Sequence, residues 1–230
     1  LVCALALPVV GQEGQPTPQE ETLPERVAVI DVDSPERSLY RIAVPNLRGE
    51  GDLGPQGAEV LRNDFRLVSL FEVLDSRSFV ADLDAEGLDL TAGPWSAVGA
   101  QGVIKGLIEV EGSEIRVQMR LYEIARGTTA TLSRTYRGSR AELRAFMHQF
   151  ANEVLQVLTG RAGAFGTRIV FARRRSVGRK DIMVATFDGD RVSRVSSGSG
   201  IAMLPAFGRG GIWYSILTED GMFITRTGVE

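Results

Sequence analysis

The sequence predicts an α+β amino-terminal domain, in which two helices pack on a mixed sheet, followed by an incomplete all-β propeller. Three observations support this fold class. Amphipathic helical patterns occur only before Gly160, whereas short β-type runs alternate with turns after it. Two later runs repeat earlier ones at offsets of 43 and 41 residues, the period of a propeller blade. The predicted domains are therefore 26–160 and 161–230, the latter holding about one and a half blades.

Length and composition limit the classes of protein that this chain can represent. With 230 residues, 43% hydrophobic and 24% charged, it is a globular chain of one or two domains. Residues 1–160 carry 15 basic and 23 acidic side chains, and residues 161–230 carry 11 and 6, which also favours two domains. The net charge of −3 gives no reason to expect nucleic-acid binding.

Cysteine and histidine each occur once, as Cys3 and His148. A lone cysteine forms no internal disulfide, and the two residues leave no cluster for a zinc site. A Ser/His/Asp set would need His148, which has no serine or aspartate at a motif spacing. Motifs for nucleotide binding, zinc proteases and serine hydrolases are missing from the sequence. We therefore predict no catalytic residue, no metal and no cofactor, and interpret His148 as a packed or interdomain histidine.

The first 25 residues have two distinct compositions. Residues 1–11 are apolar and end in small residues, which is typical of a secretory signal whose charged front is missing. A buried first strand is the alternative, although Pro8 disfavours it. Residues 12–25 hold four glutamates and no basic residue, which predicts a disordered linker. A cleaved signal predicts a periplasmic protein.

The first domain is predicted to open with strands around one helix. The β-type runs are 27–30 and 40–45, separated by a turn composition. Apolar residues at helical spacing predict a helix over 55–69, and the next β-type run is 71–74. A short helix is expected to start with Pro94 in its first turn.

A hairpin is the clearest β motif of the sequence. It covers 102–123, with its turn at 111–113 and alternating apolar residues in the second arm. A third strand is predicted over 129–136. The longest helix follows, where Ser139 and Glu142 form a capping box and Gly160 ends the apolar stripe.

The second domain is predicted as a series of short strands. They cover 169–172, 182–187, 191–195, 212–217 and 222–225. A basic run, formed by Arg173, Arg174, Arg175, Arg179 and Lys180, is placed in the turn between the first two. A solvated loop is the favoured interpretation, and a surface for an acidic partner or an anionic headgroup is the alternative.

Three stretches carry a family resemblance. They are 95–100 (Trp-Ser-Ala-Val-Gly-Ala), 117–122 (Val-Gln-Met-Arg-Leu-Tyr), and the join that runs from His148 through Gly160 to Ile169. Together they resemble the TolB family, the periplasmic components of Tol-Pal systems. The resemblance extends over 26–230, and the join is its most specific part.

The resemblance implies an architecture and a function. Members have an α/β amino-terminal domain and a six-bladed propeller, so this chain would stop inside the second blade. They are noncatalytic interaction proteins that couple a TolA-like inner-membrane protein to a Pal-like lipoprotein. That coupling serves outer-membrane integrity and envelope constriction during cell division.

The resemblance also implies site residues. In the family an extended amino-terminal segment binds TolA, and the Pal surface lies mostly on blades that this chain lacks. The matching TolA-binding residues here are Arg26, Val27, Ala28, Val29, Ile30, Asp31, Val32 and Asp33. The residues expected between the domains are His148, Phe165, Thr167 and Arg168. Phe165 is flanked by glycines and needs a surface to bury its ring, so we expect it in the domain interface.

Two alternatives stay open from the sequence. Residues 204–211 lack the aspartate that the family usually carries after a blade's proline, so the chain is either a TolB or a TolB-like relative. The rival function is that of the front of a secreted, propeller-bearing hydrolase. A downstream G-x-S-x-G motif would favour this rival.

Overall fold

The structure is a computed structural model that describes residues 39–228. The predicted signal at 1–11, the linker at 12–25 and the strand at 27–30 lie outside the described residues. Within 39–228, no helix combines the length and the apolar character that crossing a bilayer requires.

Twelve strands and four α-helices occur in the described residues. The strands are β1 (Tyr40–Ala43), β2 (Arg48–Gly49), β3 (Phe71–Val73), β4 (Gly102–Glu111), β5 (Glu114–Glu123), β6 (Leu132–Ser139), β7 (Arg168–Ser176), β8 (Arg179–Thr186), β9 (Val192–Arg194), β10 (Ile201–Gly208), β11 (Gly211–Thr218) and β12 (Gly221–Thr227). The helices are α1 (Leu53–Leu67), α2 (Leu83–Glu86), α3 (Ala92–Ala97) and α4 (Leu143–Thr159). We call residues 39–160 the α/β part and residues 168–228 the β part.

The sheet of the α/β part is mixed, which confirms the prediction. Its order is β3-β1-β4-β5-β6, and β2 pairs with β4 beyond the end of β1. Strand β1 runs parallel to β3 and β4, whereas β4, β5 and β6 form an antiparallel meander. Helix α1 makes the crossover between the parallel strands β1 and β3, as a parallel pair requires.

Both faces of this sheet are covered. Side chains alternate along each strand, so Ile42 and Leu121 face the core under α1 and α4, whereas Ala43 and Tyr122 face the segment 74–100. Trp95 of α3 is completely buried in that second core. The sequence predicts the first face, because its helices are long and periodic, but not the second.

A buried ion pair holds the segment over the second face. The Lys105 ammonium pairs with the Glu86 carboxylate and donates to the carbonyl of Asp89 at 2.6 Å. Glu86 also accepts from the Trp95 indole at 3.2 Å and from the Thr91 amide at 2.9 Å. Burial acts to raise the pKa of Glu86, but these donors outweigh it and the pKa is lowered.

Helix α4 begins and ends at the predicted signals. The amide of Ser139 donates to the Glu142 carboxylate at 2.8 Å and the Ser139 side chain accepts from the Glu142 amide, so the capping box is present. The Ser139 hydroxyl also donates to the same carboxylate at 2.8 Å. One turn of 3₁₀ helix follows Ser139, and α4 itself starts at Leu143. Gly160 adopts the left-handed conformation, with φ 74°, and its amide donates to the carbonyl of Gln156.

The β part consists of two antiparallel sets of three strands. One set is β7-β8-β9 and the other is β10-β11-β12. The two sets meet through a single parallel residue pair, Ile201 with Lys180. A small core lies between them, formed by Ile182, Val184, Ala202, Ile212 and Tyr214. The chain is thus a mixed α/β region followed by β-sheets.

The placement of the basic run in a turn is wrong. Arg173, Arg174 and Arg175 continue strand β7, Arg179 and Lys180 begin β8, and only 177–178 form the turn. Strand β7 lies at the edge of its sheet, where side chains on either face reach water. Polarity is therefore compatible with a strand here, and pairing with β8 extends the hairpin through the charged residues.

Strand β10 is missing from the predicted set. Pro205 lies inside it, and the ladder to β11 shifts register between Met203 and Ala206. Leu204 takes a positive φ of 52° at this irregularity. A proline inside a run argues against a strand, which is why the sequence pattern conceals this one. Strand β6 also starts later than predicted, at Leu132.

Candidate site between the two parts

The histidine of α4 lies between two carboxylates from different parts of the chain. Nδ1 of His148 is 2.7 Å from Oδ2 of Asp64 in α1, and Nε2 is 3.3 Å from Oδ2 of Asp188 in the turn after β8. The His148 side chain is 8% exposed, that of Asp64 is completely buried, and that of Asp188 is 2% exposed. We call these three residues the junction cluster.

An arginine completes the charge balance of the junction cluster. Arg144, one helical turn before His148, pairs with Asp188 and lies 3.5 Å from the Asp190 carboxylate. Burial opposes ionisation of Asp188, but hydrogen bonds from the Thr186 side chain, the Asp190 amide and Arg144 lower its pKa to about 2. Asp188 is therefore an anion at all ordinary pH values.

Asp64 has the opposite electrostatic environment. Burial raises its pKa, and the hydrogen bond to His148 only partly offsets this effect. Its second oxygen, Oδ1, has no hydrogen-bond partner among the described residues. A buried carboxylate without a full set of donors is costly, so Asp64 depends on His148.

Three phenylalanines form a second contact beside the junction cluster. Phe165 is 4% exposed, and its ring meets Phe65 of α1 edge-on at 6.5 Å and Phe187 of the β part at 5.9 Å. Asn152 of α4 fixes the backbone of Phe165 from both sides, accepting from its amide and donating to its carbonyl at 3.0 Å. The ring thus lies between the two parts.

The remaining residues predicted between the domains are Thr167 and Arg168. The carbonyl of Thr167 accepts from the amide of Phe187 at 2.9 Å, and its hydroxyl donates to the carbonyl of Ala164. Arg168 opens β7 with an exposed side chain. Gly166 approaches His148 so closely that a Cβ there would lie 3.3 Å from the Cβ of His148.

The junction cluster does not have the geometry of a catalytic triad. The pair Asp64–His148 matches the two supporting members, but Nε2 of His148, where a nucleophile would lie, faces the carboxylate of Asp188. A carboxylate there cannot serve as the activated hydroxyl or thiol.

The cluster is also poorly arranged for a metal ion. One ligand atom from each of its three side chains lies within 4.8 Å of the others. The two carboxylates, however, lie on opposite nitrogens of one ring, so a single ion cannot replace both contacts. Arg144 already neutralises Asp188. The arrangement is instead suited to holding protons.

Sequence reasoning selects His148 and Phe165 but misses Asp64, Asp188 and Arg144. Asp64 carries a usable signal, because it lies on the apolar stripe of α1 next to Phe65 and is a charged residue at a core position. Asp188 resembles an ordinary turn residue before Gly189 and gives no such signal. The proposed partner segment 26–33 lies outside the described residues.

The fold and this junction define a class of protein: a mixed α/β domain that packs through its last helix against a succession of small antiparallel sheets. Residues 28–130 match the family model of the TolB amino-terminal domain. This stretch is similar to the TolB amino-terminal domain, and the resemblance to the TolB family is confirmed.

Individual relatives agree with this assignment. The chain is 35% identical over 190 residues to the Tol-Pal system protein TolB of Anaeromyxobacter dehalogenans (strain 2CP-C), covering 80% of this chain and 43% of that protein. It is 32% identical over 156 residues to the protein of the same name from Syntrophotalea carbinolica, covering 66% and 36%. The chain thus spans less than half the length of these curated relatives.

A solved structure supports the fold alone. The crystal structure of TolB from Acinetobacter baumannii superposes with a TM-score of 0.69 at 20% identity, covering 81% of this chain and 46% of that one.

Proposed function

We propose that this chain is the front portion of a noncatalytic, periplasmic interaction protein of a Tol-Pal type system. The match of residues 28–130 to the TolB amino-terminal domain carries the proposal. The relatives named as Tol-Pal system proteins support it. The role we infer is coupling of inner-membrane and outer-membrane components, which would serve envelope integrity and constriction during cell division.

We propose that residues 26–33 bind a TolA-like partner by adding a strand to an exposed sheet edge. The segment combines apolar, β-branched residues with charged ends and follows the proposed linker at 12–25. Strand addition obtains its affinity from main-chain hydrogen bonds and its specificity from alternate side chains. Val27 and Val29 would share one face of such a strand, and Ala28 and Ile30 the other.

We propose that the β part is the beginning of a propeller with domain limits 161–230, following an amino-terminal domain at 26–160. The repeat of 43 and 41 residues and the two three-stranded sets support this assignment. Exposed apolar side chains on β11 and β12, among them Leu217, Met222 and Ile224, fit a face that further blades would cover. A Pal-like lipoprotein would bind mostly outside the present residues.

Calorimetry with a TolA-like periplasmic domain tests the function. We expect the full chain to bind and a deletion of residues 12–33 to abolish binding, while a matched deletion of 12–25 keeps it. Circular dichroism should show an unchanged fold for both deletions, because α1, α4 and the first sheet begin after residue 39. Equal binding by both deletions, with the fold intact, would exclude 26–33 as the partner segment.

A further inference from the structure

The junction cluster joins the two parts through one imidazole ring. His148 and Asp64 belong to the α/β part, and Asp188 belongs to the β part. The ring is the only side chain in the described residues with a nitrogen on each of these two carboxylates. Whatever changes the protonation of the ring therefore changes a contact between the parts.

The charged groups around His148 come from three elements. Asp64 faces it from α1, Asp188 from the turn after β8, and Arg144 lies one turn earlier on α4 with Asp190 behind it. The segment 163–167, which approaches the ring at Gly166, carries no ionisable side chain. Arg144 is 35% exposed and lines a groove of about 530 Å³ between α1 and the start of α4, so water reaches the edge of the cluster.

Both contacts of the ring need a proton to be attractive. Ionised carboxylates only accept hydrogen bonds, so the 2.7 Å hydrogen bond between Nδ1 and Asp64 needs a proton on Nδ1 or on Asp64, and the 3.3 Å ion-pair contact of Nε2 with Asp188 needs a proton on Nε2. Two protons are therefore shared by the three side chains, either both on the ring or one on the ring and one on Asp64. With one proton fewer, the lone pair of one ring nitrogen faces a lone pair of a carboxylate oxygen. That contact is then repulsive.

We propose that His148 is a proton-dependent latch between the two parts. With two protons in the junction cluster, the ring holds Asp64 and Asp188 together and fixes the angle between the α/β part and the β part. After loss of one proton, one of the two contacts becomes repulsive and the angle is no longer fixed. This inference goes beyond partner binding and does not depend on which partner the protein has.

The sign of the pH effect follows from the groups involved. Asp188 must be ionised, and its pKa of about 2 keeps this condition satisfied unless the pH falls far below 3.8. The raised pKa of Asp64 favours the protonated cluster, a contribution that is lost as the pH rises through the folded pKa. The latch is therefore closed under mildly acidic conditions and opens as the pH rises. The row of phenylalanines and the ion pairs of Arg144 with Asp188 and Asp190 remain, so opening is a loosening and not a separation.

The proton itself can be observed directly, because His148 is the only histidine of the chain. We would prepare the full chain with a histidine-free affinity tag and follow the ¹³Cε1 resonance of the ring from about pH 5 to about pH 9. One resonance reports one residue, and no assignment is needed.

The angle between the parts is measured with two spin labels. The labels go on the exposed positions Ser113→Cys and Val177→Cys, in a Cys3→Ser background, and pulsed electron resonance gives their distance distribution. His148→Gln is the matched variant, because an amide has no proton to lose in this range. Asp188→Asn removes the charge on the β part and is expected to give a broad distribution at both ends of the range.

The expected result is a narrow distance distribution at low pH that broadens in step with the change of the ring resonance as the cluster loses a proton. His148→Gln should show no pH dependence. A wild-type distance distribution that stays unchanged while the resonance shifts would overturn the latch, as would a resonance that does not shift between about pH 5 and about pH 9. If His148→Gln fails to fold, the comparison between the wild-type resonance and the wild-type distances decides alone.

Discussion

The charged side chains that organise this molecule are buried, and their partners lie far away in the sequence. Asp64 and His148 are separated by 84 positions, and Lys105 and Glu86 by 19. Each pair ties two elements together, and each would leave an uncompensated charge if one member were removed. Substitutions at such positions test the packing more sharply than substitutions in the apolar core.

Phe165→Ala tests the aromatic contact between the parts. We expect a loss of about 3 kcal/mol in the free energy of unfolding, which is typical of a buried phenylalanine, because the ring contacts Phe65 and Phe187. Limited proteolysis should also become faster at residues 159–167. Urea denaturation and protease digestion measure the two effects.

Phe223→Ala is the matched control for this substitution. Phe223 is 51% exposed on β12, so its removal should change the free energy of unfolding by less than about 0.5 kcal/mol. Similar losses from the two substitutions, or unchanged proteolysis at 159–167 in Phe165→Ala, would contradict a fixed orientation of the parts.

The two lysines of the chain provide a second matched pair. Lys105→Met leaves Glu86 buried without its cation, and we expect a loss of about 3 kcal/mol, measured by denaturation near pH 7. Lys180→Met should have little effect, since that side chain is exposed. If Lys105→Met left the free energy of unfolding unchanged, the ion pair would not be what holds the segment 74–100.

The ion pair between Lys105 and Glu86 makes the free energy of unfolding depend on pH with a definite sign. The folded pKa of Glu86 lies below its ordinary value of 4.5, so its contribution is present above about pH 4.5 and is lost as the pH falls. Lys105→Met should therefore flatten the acid limb of the stability curve. An acid limb of unchanged slope would contradict this account of Glu86.

Individual residues were predictable where a local pattern specifies them. The capping box of Ser139 with Glu142 and the helix end at Gly160 follow from neighbours within one turn. Asp188 and Arg144 were not predictable, because only the meeting of α4 with the turn after β8 gives them a role. Long-range pairing of charges leaves no periodic trace in the sequence.

Gly160 tests how helix α4 ends. Its φ of 74° disfavours any side chain, and a Cβ there would meet no atom within 4 Å, so Gly160→Ala isolates backbone strain. We expect a loss of about 1 kcal/mol, measured by thermal denaturation. Gly93→Ala is the control: it also has open space around it but an ordinary φ inside α3, and should be neutral or slightly stabilising. Equal effects would show that the left-handed conformation is not what ends the helix.

Among the elements, long periodic segments are predicted well and irregular strands are not. Helix α4 and the hairpin β4–β5 agree with the sequence pattern, because each repeats one rule over ten or more residues. Strand β10 carries a proline and a bulge, and the basic end of β7 has the composition of a loop. In both strands the pairing with a neighbour outweighs the local preference, and a single sequence does not display that pairing.

Taken as a whole, the molecule is asymmetric in how it buries its surface. The sheet of the α/β part is covered on both faces, whereas strands β11 and β12 expose large apolar side chains. This asymmetry is what a propeller with more blades would remove, and the domain limits and the closure of that propeller stay predictions. The order of an α/β region before β-sheets was predictable, because the change from helical to β-type periodicity at Gly160 is abrupt.

The central claim is that residues 26–33 bind a TolA-like partner. Crosslinking in the cell tests this binding most directly. A photoreactive amino acid at Val29 of the full-length gene product, expressed in its own bacterium, should yield a single adduct that mass spectrometry identifies as a TolA-like inner-membrane protein. The same group at Gln15, in the proposed linker, should yield no such adduct. An adduct to a cytoplasmic protein, or the same products from both positions, would contradict the account.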